Sequence, residues 1–215
     1  MVPPQQHRVR VETYFDPLPF WYPPFEEGLN DATEFPISAI TQRPMAMYHS
    51  WGSQNAWLRQ IHAANRLYMN RARALALGIA DDEWVWITSR IGRVKAQIKH
   101  MEGVNPDTVW TWNAIGKRAG AWGLDKNAPE ATRGFLLNHL IAELLPEQAG
   151  GYRYSNSDPV TGQAAWYDLK VRVERAADQE TGMTSPRFET LINPSVIRPP
   201  DEIAYGREFR REAAE

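Results

Sequence analysis

Strict alternation over residues 92 to 99 is the feature that most constrains this chain. Val94, Ala96 and Ile98 fall on one face, and Arg93, Lys95, Gln97 and Lys99 on the other. A period of two belongs to a strand with one side on a core and the other in water. Trp84-Val85-Trp86-Ile87-Thr88 reads as a second strand, and Ser89-Arg90-Ile91-Gly92 as the hairpin turn joining them. Pro36 to Thr41 and Thr108 to Trp112 read as two more strands. Ala165 to Val173 alternates again, with Tyr167, Leu169, Val171 and Val173 set against Lys170 and Arg172. Short helices fall between. Ser53 to His62 carries Ala56, Trp57 and Ile61 at helical spacing behind a Ser cap. Asn70 caps Arg71 to Leu77, which Gly78 ends in the left-handed conformation. Ala131 to Leu145, with Phe135, Leu136, His139, Leu140 and Leu144 along one side, is expected to be a helix, and Gly150 to Pro159 a loop. Strands of this length with small helices between them predict a mixed α/β, mainly β, barrel-like domain.

The ends differ in composition. Residues 1–36 hold 7 of the 16 prolines, with Phe15, Phe20, Trp21, Tyr22 and Phe25 between them. Proline at this density excludes helix and sheet interiors, and the aromatics need cover. Residues 1–34 are therefore expected to form an extended arm over another surface, residues 35–176 the barrel domain, and residues 177–215 an extended tail.

Several function classes are excluded. Without cysteine there is no disulfide, Cys-ligated zinc, iron–sulfur cluster or thiol nucleophile within these 215 residues. A net charge of −2 argues against broad phosphate-backbone binding, so no nucleic-acid partner is expected. No apolar run approaches 18 residues, and Met1 to Arg8 lacks a signal-peptide core, so neither membrane insertion nor secretion by that route is expected. No phosphate loop, His-x-x-x-His pair or Gly-x-Ser-x-Gly is present. Asp81-Asp82-Glu83 reads as a solvated turn and His139 as a satisfied core or interface residue. Of 24 basic residues 19 are Arg, a bias that suits a phosphorylated or planar ligand and equally follows from GC-rich coding. One loop concentrates polar groups directly after a buried strand, Thr41-Gln42-Arg43-Pro44-Met45-Ala46-Met47-Tyr48-His49-Ser50. Such loops are where ligand groups usually sit.

From Phe35 to Trp112 the chain resembles the molybdopterin-dinucleotide-binding domain that closes the large subunit of dimethyl-sulfoxide-reductase-type molybdenum enzymes. The matches run in order. They begin with the Thr-x-Arg loop (Thr41, Arg43) and the His49-Ser50 pair, then the Asn70-capped helix ending Leu77-Gly78-Ile79. Val85, Ile87, Ser89 and Gly92, then Asn138, then Asp158-Pro159-Val160-Thr161 and Val171-Arg172-Val173 follow. Departures are Arg71 and Arg73 at the helix start and a longer spacing from Asn138 to Asp158. Asp82 stands at a turn glycine, where a left-handed backbone costs on the order of 1 kcal/mol. The flanking segments are similar to the sulfur-compound branch, nearest to the cytoplasmic, membrane-associated sulfite dehydrogenases, with polysulfide and thiosulfate reductases behind.

The resemblance implies a six-stranded double-psi β-barrel gripping one of two guanine dinucleotides that chelate molybdenum, as bis(molybdopterin guanine dinucleotide). It implies cofactor-binding roles for Thr41, Arg43, His49, Ser50, Asn55, Asn70, Ser89, Asn138, Gln163, Trp166 and Tyr167, with no catalytic or metal-ligating residue in this chain. It further implies a two-electron oxo-transfer enzyme that works on an inorganic sulfur compound. Its iron–sulfur cluster belongs to the rest of the large polypeptide. The implied partners are the N-terminal domains of that polypeptide, an iron–sulfur subunit for electron transfer, and a membrane anchor subunit, at the cytoplasmic face of the inner membrane. Two other classes compete, an aromatic-rich β-module binding carbohydrate and a non-catalytic structural subunit. The carbohydrate reading requires Trp rings lined up on an exposed face and no pocket at the Thr41–Ser50 loop. The purified 215-residue chain is predicted to lack sulfite oxidation or polysulfide reduction in dye-linked assays. Turnover above a no-protein control contradicts that.

Overall fold

The computed structural model describes residues 27–49, 55–113, 134–141, 144–147, 153–155 and 169–177, together with residues 5, 8, 12, 18, 52, 115 and 163. Proximity along the backbone divides the chain into Met1–Ser185 and Pro186–Glu215, and every element below lies in the first unit. The expected arm and tail fall mostly outside the described residues.

The alternating segments become strands with their apolar parity inward. In chain order they are β1 (Ile37–Gln42), β2 (Leu67–Met69), β3 (Trp84–Thr88), β4 (Arg93–His100), β5 (Thr108–Trp112), β6 (Leu144–Glu147), β7 (Arg153–Ser155) and β8 (Lys170–Arg175). Six of them close a barrel in the order β1-β5-β2-β4-β3-β8, while β6 and β7 pair separately. Closure leaves no free edge among the six. Ile37, Leu67, Met69, Val85, Ile87, Val94, Ala96, Ile98, Val109, Val171 and Val173 fill the interior at 3% exposure or less. Their neighbours of opposite parity line the outside.

Strand direction sorts the loops. β1 and β5 run parallel, as do β2 and β4, and β5–β2, β4–β3, β3–β8 and β8–β1 are antiparallel. The carboxyl ends of β1, β3 and β5 therefore share one rim with the amino ends of β2, β4 and β8. This upper rim carries the loop after β1. The carboxyl ends of β2, β4 and β8 make the lower rim.

Two short helices connect these strands. Helix α1 (Ala56–Ile61) is capped by Asn55, whose Oδ1 accepts from the amides of Trp57 and Leu58, not by the expected Ser53, which lies outside the described residues. Helix α2 (Arg71–Ala76) is capped by Asn70 as the residues predict, and Gly78 follows at φ 71°. Asp82 adopts φ 64°, so the left-handed turn is kept with a non-glycine residue. Its cost is offset only weakly by exposed ion pairs with Arg66 and Lys99, both at 3.5 Å.

The helix expected over residues 131–145 is not formed. Leu136 is extended, Leu137–Leu140 makes one 3-10 turn, Ile141 is extended again, and Leu144–Glu147 is strand β6. Apolar residues three apart suit either helix type, and tertiary bonds decide here. The Phe135 carbonyl accepts from Asn65 Nδ2 and the Leu140 carbonyl from Ser89 Oγ, pinning both ends to the barrel. The expected loop over 150–159 likewise contains strand β7, and the three-residue strand β2 is too short to show a period. Strand β8 starts at Lys170, later than expected, and residues 164–168 lie outside the described set.

Asn65, at 0% exposure, is the centre of these attachments. Its Nδ2 donates to the carbonyls of Trp112 (2.9 Å), Ile115 (2.8 Å) and Phe135 (3.1 Å). Its Oδ1 accepts from Thr111 Oγ1 (2.8 Å) and the Trp112 amide (3.2 Å). Two amide protons serve three carbonyls, so one is shared. Asn65→Leu keeps the volume and strands every partner, at a cost of about 4 kcal/mol given roughly 1–3 kcal/mol for each unsatisfied buried group. Urea denaturation of the variant is expected to show that loss. A loss under about 1 kcal/mol contradicts the role assigned to Asn65.

Candidate functional site at the upper rim

The loop leaving β1 is held by its apolar residues and presents its polar ones. Pro44 and Met47 are buried, and the Met47 amide donates to the Pro44 carbonyl at 3.1 Å. Gly52 lies so close that a Cβ there would meet Met47 Cα at 3.0 Å, so a larger residue would force the Met47 backbone to shift. Arg43 and Tyr48 stand exposed, with the guanidinium 5.4 Å from the centre of the Tyr48 ring. His49 packs edge-on against Tyr48 at 5.2 Å between ring centres. It sits at φ 49°, the left-handed region that non-glycine residues enter at a cost.

Burial makes Thr41 distinctive. The described buried polar residues are Thr41, Asn65, Asn70, Ser89 and Thr111. Asn65 and Thr111 bond to each other, Asn70 Nδ2 donates to the Val104 carbonyl at 2.9 Å, and Ser89 Oγ donates to the Leu140 carbonyl at 2.8 Å. The Thr41 hydroxyl, on a residue 8% exposed, has no partner. A buried hydroxyl without a partner costs free energy unless a ligand or water completes it. Across the parallel pair, Thr41 stands in register with Thr111 and Gln42 with Trp112. The Asn113 amide donates to the Gln42 carbonyl at 2.8 Å and extends the ladder by one residue. Asn113 Nδ2 lies 3.1 Å from His49 Nδ1, and Asn113 Oδ1 is buried without a partner.

The structure thus gathers Thr41, Arg43 and His49 at the upper rim. Ser89 follows β3 at that rim, but its hydroxyl is occupied by the Leu140 carbonyl and the Ile91 amide. Asn138 is exposed on the 3-10 turn tethered there, so its setting is not the helix interior expected. Asn55 spends its acceptor capping α1. Asn70 follows β2 and belongs to the lower rim, where its Oδ1 caps α2 through the Arg73 amide. Gln163 is exposed, and Ser50, Trp166 and Tyr167 lie outside the described residues. Residue patterns overlook Asn113 and Asn65. Each lies beside a strand end, and only the parallel pairing of β1 with β5, invisible along the chain, gives Asn113 its position.

The described aromatic rings satisfy one another. Tyr68 stacks on Trp110 with centres 4.0 Å apart at 7°, and Trp112 meets both edge-on. Trp110 is only 7% exposed. Trp86 lies under Arg93 at 4.0 Å and Lys95 at 5.1 Å. Trp57, on α1, is the described Trp with a widely exposed ring, at 76%. No row of open Trp rings exists among the described residues. Among the same residues no group of three His, Asp or Glu side chains converges on a metal position, and no helix is long and apolar enough to cross a membrane.

Residues 37–157 match the family described as the molydopterin dinucleotide binding domain, and the chain belongs to that family. It is 59% identical over 189 residues to a sulfite dehydrogenase subunit of Allochromatium vinosum, covering 88% of this chain and 20% of that protein. It is 28% identical over 148 residues to the catalytic subunit of a putative dimethyl sulfoxide reductase of Halobacterium salinarum, covering 69% of this chain and 15% of that one. Among solved structures, acetylene hydratase from Pelobacter acetylenicus superposes with a TM-score of 0.53 at 19% identity, over 78% of this chain and 22% of that chain, a likeness of fold. The chain thus spans about a fifth of the length of the first of these relatives.

Burial holds the His139 imidazole below its ordinary value of 6.5. The unfolded chain therefore takes up a proton as pH falls through 6.5 while the folded chain resists until lower pH. The stability tied to His139 is fully present above 6.5 and lost on acidification towards its folded value. Asp81 and Glu83, held low by Lys99 Nζ and by the Ala80 amide respectively, lose theirs only below the ordinary values of 3.8 and 4.5. Melting of His139→Gln is therefore expected to change less between pH 7.5 and 5.5 than that of the parent. Equal slopes contradict this.

Proposed function

We propose that this chain binds one molybdopterin guanine dinucleotide as the C-terminal domain of a molybdenum-dependent oxidoreductase large subunit of the dimethyl-sulfoxide-reductase family. The substrate is an inorganic sulfur compound. Two different observations support the two halves of this reading. The unpartnered Thr41 hydroxyl, buried beside a loop with an exposed Arg and a left-handed His, carries the binding half. The 59% identity to the sulfite dehydrogenase subunit of Allochromatium vinosum carries the sulfur half.

The donor set fits such a ligand. Arg43 offers a fork of N–H donors for a pyrophosphate or a ring carbonyl, and Tyr48 beneath it limits the directions the fork samples. Thr41 offers a short hydroxyl that both donates and accepts. Ser50, the exposed Asn138, Gln163, Trp166 and Tyr167 are assigned to the same ligand by the residue pattern. Asn55 and Ser89 shape the loops, and Asn70 belongs to the far rim. When bound, the molybdenum centre supplies two-electron oxo transfer, and this chain orients the dinucleotide arm of that centre. The iron–sulfur cluster and the metal's protein ligand are assigned to the remaining length of the subunit. A subunit for electron transfer and a membrane anchor complete an assembly at the cytoplasmic face of the membrane.

Arg43→Ala in the whole subunit is expected to lower dinucleotide occupancy by an amount matching about 1.5–3 kcal/mol, with the barrel still folded by circular dichroism. Unchanged molybdenum and guanine content in the variant would sink the reading.

A further inference from the structure

We infer that Asn113 is a ligand-reading residue of this rim, and that its Oδ1 accepts a hydrogen bond from the 2-amino group of the bound heterocycle. The inference rests on the dinucleotide reading above. Three observations carry it. Asn113 continues β5 by one residue at the parity of Thr111 and Val109, both fully buried, so it points to the same side as the interior-facing residues of its strand. Its amide group is oriented by a defined neighbour, since Nδ2 lies 3.1 Å from His49 Nδ1. With Nδ2 donating, His49 Nδ1 is the acceptor and the imidazole carries its proton on Nε2 or is displaced from this bond. That choice leaves Oδ1 as the group turned to the ligand, and it is buried with no partner, as is Thr41 Oγ1 across the same parallel pair.

The backbone around the pair is built to hold it. The Asn113 amide is fixed on the Gln42 carbonyl at 2.8 Å, and the preceding Trp112 is clamped through both its amide and its carbonyl by Asn65. His49 reaches its position through a left-handed backbone at φ 49°. Strain of this kind persists where surrounding structure over-determines it, and it concentrates at binding sites. A fixed, buried acceptor rejects ligands that offer it another acceptor, because both then stay unpaired. The chemistry it selects is an N–H edge, the 2-amino-pyrimidinone that guanine and pterin have in common.

The test uses the whole subunit that carries this chain, purified with its cofactor and also from cells unable to make the cofactor. Asn113→Leu is expected to lower guanine and pterin released per chain about tenfold, while melting of the cofactor-free protein stays equal or rises, because a buried unpaired acceptor has been removed. Asn113→Asp keeps an oxygen acceptor and is expected to retain most of the content. Titration of the cofactor-free protein with guanosine against inosine diphosphate, and with pterin against lumazine, tells which ring is read. The pair whose 2-amino preference vanishes in Asn113→Leu identifies it. Unchanged content in Asn113→Leu, or no 2-amino preference in either pair, overturns the inference and leaves Asn113 Oδ1 to water. Parent protein that releases neither guanine nor pterin refutes the dinucleotide reading instead.

Discussion

A single buried carboxamide holds the working end of this barrel together. Asn65 joins the last residues of β5 and the nearby Ile115 backbone to Phe135, and all three carbonyls lie far from Asn65 along the chain. Buried away from water, each of those carbonyls needs a donor. Leaving them unmet would release the end of β5 and the segment leading to the 3-10 turn. The loop after β1 would then have no fixed wall opposite it. A polar residue in an apolar interior is costly unless fully bonded, and Asn65 uses both its oxygen and its nitrogen.

Closure does the rest. In a six-stranded barrel with this mixture of parallel and antiparallel pairs, loops of one direction collect at one end. The interior is filled by apolar side chains, which leaves the rim rather than a central channel as the place for polar groups. At that rim the polar groups divide into two kinds. Ser89 and Asn65 are spent on backbone and keep the frame, whereas Thr41 and Asn113 retain buried oxygen atoms without partners. Bonded and unpartnered polar groups thus stand side by side, and their difference lies in hydrogen-bond satisfaction, not in residue type.

Much of the frame is legible in the amino-acid order. Trp84–Thr88 and Thr108–Trp112 appear with the expected limits, and the cap at Asn70 and the left-handed Gly78 follow from local chemistry alone. The left-handed backbone at Asp82 is readable only through the family pattern. Phe135 to Leu145 misleads because its apolar spacing satisfies a helix, while hydrogen bonds from Asn65 and Ser89, far away in the chain, hold it extended around one 3-10 turn. Of the candidate site, Thr41, Arg43 and His49 are legible from the polar loop after a buried strand. Asn113 is not, because nothing local announces a partner sixty-four residues upstream. Asn70 and Ser89 carry the residue types of ligand groups, and only their bonds to Val104 and Leu140 reveal what they hold.

The proposed role of this chain requires the ligand to lie at the rim formed by the carboxyl ends of β1 and β5. A density map of the whole cofactor-loaded subunit tests this most directly. Dinucleotide density is predicted against Thr41, Arg43, His49 and Asn113. Density at the opposite rim, beside Asn70 and His100, with the β1 loop facing solvent, would contradict it.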